Sequence, residues 1–126
     1  MASILEFLLT PEVPNVAKDL PEKQFEVKRL SKLTGQKAVF TLRALPYGKV
    51  QEIRQMPDDN QEAQILLQGC AEPNLRDGQL LAKYGAATPL DAIYALLLPG
   101  EIADLSMEVE RLSGYRRRTI SEIKNG

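Results

Sequence analysis

The sequence contains no histidine and only one cysteine, Cys70, among 126 residues. Without imidazole there is no Ser-His or Cys-His nucleophile pair and no histidine metal ligand. A single cysteine rules out an intramolecular disulfide, a Cys-x-x-Cys redox pair and a cysteine-built zinc site. A lone thiol suits a reducing compartment. The eight glycines are scattered and form neither G-x-G-x-x-G nor a phosphate-cradling loop. No apolar run approaches the ~18 residues that a membrane span needs. The apolar start, Met1 to Thr10, is interrupted by Glu6 and lacks a basic lead, so it makes a poor signal peptide. These absences point away from an enzyme, a cofactor, a metal or a membrane partner, and towards a cytoplasmic binding protein.

What is present fits one soluble domain. Apolar residues make up 44% and charged residues 26%, enough to bury a real core while keeping a solvated surface. Net charge is −1 but unevenly spread: −2 over residues 1–17, +5 over 18–54, −8 over 55–110 and +4 over 111–126. The basic and acidic stretches can pair with each other, with a partner, or simply face water.

Three parts follow along the chain. Residues 1–20 read as a short helix capped by Ser3 and Glu6, followed by a proline-rich linker; the stretch Thr10 to Pro21 holds three prolines. Residues 21–114 read as the core domain. Residues 115–126 form a basic tail holding Arg116, Arg117 and Arg118, with a last turn started by Thr119 and Glu122.

In the core, Phe25 and Val27 alternate with Glu26 and Lys28, while Ala38, Phe40, Leu42 and Ala44 share one side of a second strand. Gly35 sits in the connection, so the two runs predict an antiparallel hairpin. Pro46 suits a first helical position, with Tyr47, Val50 and Ile53 at three-residue spacing. Asp59 and Glu62 start the next helix, whose inward set is Ala63, Leu66, Leu67 and Cys70. Cys70 is thereby placed as a small core residue. Asp77 caps a helix stopped by Gly85, and Thr88 with Pro89 opens another. Leu90 to Leu98 is apolar nearly all round and predicts central burial. Pro99 and Gly100 break it. Glu101 to Leu112 then turns Ile102, Leu105, Val109 and Leu112 inward, and Gly114 ends it. The expected class is α+β and mostly helical: one antiparallel β-hairpin near the N-terminus, followed by a bundle of about five short helices.

The second half carries a resemblance. Pro73-Asn74-Leu75, Lys83-Tyr84-Gly85 and Leu97-Leu98-Pro99-Gly100-Glu101-Ile102-Ala103-Asp104 are similar to the XkdN-like phage tail assembly chaperones. Those proteins have a "PNL" segment, a "YG" helix stop and an "LTPGEYADL" turn in the same order. Leu98 stands where the family has threonine, and Ile102 where it has tyrosine. Val109 to Tyr115 resembles the family's "VQEINGF", and Phe25-Glu26-Val27 and Phe40 to Leu45 look like its paired strands. The likeness covers about residues 20–118 and is strongest from Asn74 to Tyr115. These motifs are turns, helix stops and core positions, and none is catalytic.

The resemblance implies a prophage or phage protein in the cytoplasm of a bacterial host. Such a chaperone binds the long, apolar, helical tape measure protein and keeps it soluble until tail tube subunits polymerise around it. It also implies a gene just before that of the tape measure protein, a longer frameshifted form, and absence from the finished particle.

The residues themselves offer candidate contacts. Ile4, Leu5, Leu8 and Leu9 form an apolar helix too short to be stable alone, which must dock on its own domain, on a sister chain or on a client. The hairpin's free edge offers a second route to self-association, and so to a homo-oligomer. Arg116 to Arg118 supply a basic contact, but the acidic remainder argues against a nucleic-acid partner. Asp58-Asp59 and Glu108-Glu110 are acidic pairs without the convergence that carboxylate catalysis requires. A structural tail component and a small nucleic-acid-binding protein stand as the alternatives.

Overall fold

Alternation along Val39–Arg43 decides where the core sits. Phe40 and Leu42 point inward and are buried, whereas Val39 and Arg43 face solvent. Around this strand the computed structural model describes residues 3–124. Met1, Ala2, Asn125 and Gly126, which belong to the N-terminal segment and the basic tail of the sequence reading, lie outside the described residues. The elements in chain order are α1 (Ile4–Leu8), β1 (Glu22–Glu26), α2 (Lys28–Thr34), β2 (Val39–Arg43), α3 (Tyr47–Arg54), α4 (Asp58–Gly69), β3 (Cys70–Glu72), α5 (Gly78–Tyr84), α6 (Pro89–Leu96) and α7 (Pro99–Leu112). The class is α+β and mostly helical, as expected.

The two anticipated strands pair antiparallel, with Phe25 opposite Phe40 and Glu22 opposite Arg43. The Glu22 and Arg43 side chains form an ion pair across the ladder. They are not joined by a tight hairpin turn. The connection folds into α2, which Gly35 ends in the left-handed conformation at φ 72°. Ser31 Oγ ties that helix to β2 by accepting from the Ala38 N–H at 2.8 Å. A third strand, β3, is added on the far side of β2, giving the order β1-β2-β3. Its pairing shifts register between Thr41 and Leu42, a bulge where α4 runs straight into the strand.

One face of the sheet packs on α4 and α7, and α3, α5 and α6 close the sides. Leu42, Leu66, Leu75, Ile93 and Val109 are fully buried, each contributing roughly 1.5–3 kcal/mol relative to exposure. Local cap chemistry follows the sequence closely. Asp77 accepts from the Gln79 N–H at 2.8 Å, Gly85 is left-handed, and Thr88 accepts from the Asp91 N–H at 3.2 Å with Pro89 at the first position of α6.

Several boundaries differ from the sequence reading. Pro46 is the N-cap of α3, and Tyr47 is 74% exposed and not inward-facing. α4 begins at Asp58 behind Pro57, with no side-chain cap from Asp59. Pro99 and Gly100 do not merely break α6. They form the first turn of α7, where the Glu101 carboxylate accepts from the Leu98 N–H at 2.8 Å. Glu101 also binds Arg29 at 2.9 Å, and Arg29 donates to the Leu96 carbonyl at 2.8 Å, stapling α2 to the α6–α7 corner. That contact and the Leu98 N–H hold the Glu101 carboxyl below its ordinary pKa. Central burial of α6 holds on one side only: Ala92 and Ile93 are buried, whereas Tyr94 and Leu98 are about half exposed. Thr119 to Lys124 form no helical turn.

Gly69 is where α4, α7 and β2 come closest. A Cβ there would meet Val109 Cγ1 at 2.5 Å and lie 3.2 Å from the Arg43 carbonyl oxygen. Gly69→Ala is therefore expected to destabilise the protein by about 1–3 kcal/mol through overpacking. Gly48→Ala, in α3 with open space around it, should stabilise by about 0.4–1 kcal/mol. Urea unfolding of the two variants reads both signs.

Candidate partner-binding surface

The N-terminal segment folds into α1 because its ends are locally satisfied. Ser3 Oγ accepts from the Glu6 N–H at 3.3 Å, and Thr10 Oγ1 donates to the Phe7 carbonyl at 2.7 Å before Pro11 closes the run. At about 100° per residue, Ile4, Leu5, Leu8 and Leu9 fall on one side of the helix. None of them is buried: their exposures run from 54% for Leu8 to 75% for Leu9. Phe7, 56% exposed, widens the same side and leaves Glu6 opposite. Phe7 was absent from the sequence-derived set, although a helix with one polar position out of five already signals it.

A linker joins α1 to β1, and its end is tied to the sheet where the Pro21 carbonyl accepts from the Ala44 N–H at 2.9 Å. The linker holds two turns: one in which the Thr10 carbonyl accepts from the Val13 N–H, and one at Asn15, whose Oδ1 accepts from the Ala17 N–H and whose carbonyl accepts from the Lys18 and Asp19 N–H groups. Val13 and Val16 are exposed as well. Of the three fates open to this helix, docking on its own domain is the one the fold does not display.

The basic tail lies elsewhere and does not join α1. Arg116, in the left-handed region at φ 60°, donates to Glu110 at 2.7 Å, which raises its pKa. The Arg54 guanidinium stacks 5.6 Å over the Tyr115 ring. Arg118 donates to the Ile120 carbonyl at 3.0 Å. Arg116, Arg117 and Arg118 are thus exposed but not gathered round one point, as gripping a phosphate would require. The acidic pairs are also spread apart. Glu108 pairs with Arg111, Glu110 with Arg116, and Asp58 receives Gln61.

Cys70, expected from the sequence as a small core residue, sits at the α4–β3 junction, partly buried and packed on the core. Its sulfur lies 3.4 Å from the carbonyl oxygens of Glu72 and Pro73. Burial pushes the thiol up to about 12. At mildly alkaline pH, alkylation of Cys70 in the folded protein should be slower than in denaturant by roughly a hundredfold or more, because the thiolate is the reacting form. Mass spectrometry of a timed alkylation reads this directly, and equal rates would refute it.

Residues 5–125 match the family described as Phage XkdN-like tail assembly chaperone protein. Among solved structures, the crystal structure of the protein yqbn superposes with a TM-score of 0.67 at 17% identity, over 86% of this chain and 94% of that one. At that identity the likeness concerns the fold alone. No curated protein matches the chain.

Proposed function

Because the chain belongs to the Phage XkdN-like tail assembly chaperone family, we propose that it binds the tape measure protein in the host cytoplasm and keeps it soluble during tail assembly. The observation that carries this reading is α1 with its C-cap Leu9, which together present five large apolar side chains, each more than half exposed, on a tethered segment. A contiguous apolar patch of this kind marks a docking surface in a soluble protein. An aggregation-prone helical client presents the matching chemistry, an apolar stripe that a second helix can cover. Shielding needs no catalytic group, only a client surface removed from water. Among the described residues no helix is long and apolar enough to cross a membrane.

Co-expression with the tape measure protein tests the proposal. The parental chain should bring that protein into the soluble fraction, whereas Leu5→Asp with Leu8→Asp should return most of it to the pellet. The same double variant should unfold within about 0.5 kcal/mol of the parent per substitution, since neither side chain is packed. A client that is equally insoluble with and without the parental chain would sink the chaperone reading. Recovery of the chain in purified particles would favour a structural tail component.

A further inference from the structure

The acidic middle and the basic tail noted in the sequence meet a specific geometry. Between the start of α4 and the α6–α7 corner lies a cleft of about 310 Å³ with a floor of Ala63, Leu97 and Ile102 and a rim that includes Asp59, Glu62 and Tyr94. No residue lining it is basic. Asp59, Asp91 and Glu62 all act on the Tyr94 hydroxyl, whose pKa is raised first by desolvation and then by these three carboxylates. An apolar floor under a carboxylate rim suits a segment with aliphatic side chains flanked by cations.

The chain itself carries such a segment. In Arg117-Arg118-Thr119-Ile120-Ser121-Glu122-Ile123-Lys124 the isoleucines are three residues apart and 76% and 81% exposed. Three cations surround them against one carboxylate. Arg116, on Glu110, and Tyr115, under Arg54, fix the root of the tail at the C-terminal end of α7. Pro99 and Ile102, on the far wall of the cleft, lie at the other end of that helix, about 20 Å along it, whereas Glu62 on the near rim is close enough to act on Arg116. Within one chain the cleft stays open and both isoleucines stay in water.

We propose that the tail of one copy docks in the acid-rimmed cleft of a second copy, and that the exchange is reciprocal. Ile120 and Ile123 cover the apolar floor, and Arg117 and Lys124 face Asp59, Glu62 and Asp91. Two equivalent tail–cleft contacts close a two-fold dimer without undoing the contacts that root each tail. The inference is independent of the client reading, since it uses neither α1 nor the tape measure protein.

Sedimentation equilibrium of the full chain tests it. The parent should dimerise, more weakly at high salt because the rim contacts are exposed ion pairs. Ile120→Asp with Ile123→Asp, and separately Asp59→Lys with Glu62→Lys, should each weaken dimerisation by roughly tenfold or more. Circular dichroism should show both variants folded, since the altered side chains are exposed. Mixing the two variants should restore a heterodimer, because the intact cleft of one meets the intact tail of the other. A parent that is monomeric up to millimolar concentration would overturn the proposal, and this includes the case of a tail that folds into its own cleft. A dimer indifferent to both double variants, or a mixture that fails to associate, would overturn it equally.

Discussion

The close approach of Val109 to the backbone at Gly69 is the constraint on which the rest of the structure depends. It lets α7 press on the point where α4 becomes β3, with the Arg43 carbonyl on the third side. A side chain at this position would collide with Val109 and force a local shift. With α7 seated, Leu42, Leu66 and Val109 share one core and Ile102 and Leu105 extend it. The position of α7 also sets the α6–α7 corner at one end and the root of the basic tail at the other. One packing contact thereby places both halves of the proposed tail exchange.

α1 takes no part in this core: Ile4, Leu5, Phe7, Leu8 and Leu9 are absent from its packed residues and each is more than half exposed. The apolar side chains of Ile4, Leu5, Phe7, Leu8 and Leu9 are therefore displayed and not stored. This separation of a saturated core from a tethered apolar helix is what a chaperone requires. On the proposed reading, the stability of the chain does not depend on the groups offered to a client, so those groups could be covered and released without unfolding the carrier.

How much of this the sequence disclosed depended on how local each signal is. Asp77 and Gly85 bracket α5, Thr88 and Pro89 open α6, and Phe40 and Leu42 alternate in β2, because caps, turns and period-two burial are written within a few residues. The strand Cys70–Glu72 was not legible. Three residues without alternation become a strand only by pairing with β2, far away in sequence. α2 was missed for a related reason: Leu30 and Leu33 give only one turn of periodicity, and Gly35, read as a hairpin turn, is in fact a helix stop. The apolar run of α6 could not tell which flank its neighbours leave open, so Tyr94 and Leu98 were expected inside. For the site, the sequence exposed the apolar composition of α1 and the segregation of charge. It did not show that α1 stands clear of the core, nor that Asp59 and Glu62 border a cleft floored by Leu97 and Ile102. The resemblance between Asn74 and Tyr115 supplied the family, which no catalytic or binding motif could have done.

The central claim is that α1 is the surface that meets the client. Amide hydrogen exchange, measured on the chain alone and bound to the tape measure protein, tests it most directly. The account predicts fast exchange from residue 4 to residue 10 in the free chain and strong protection of that stretch in the complex, with the sheet and α7 unchanged. A stable complex in which residues 4–10 still exchange as fast as in the free chain would contradict it.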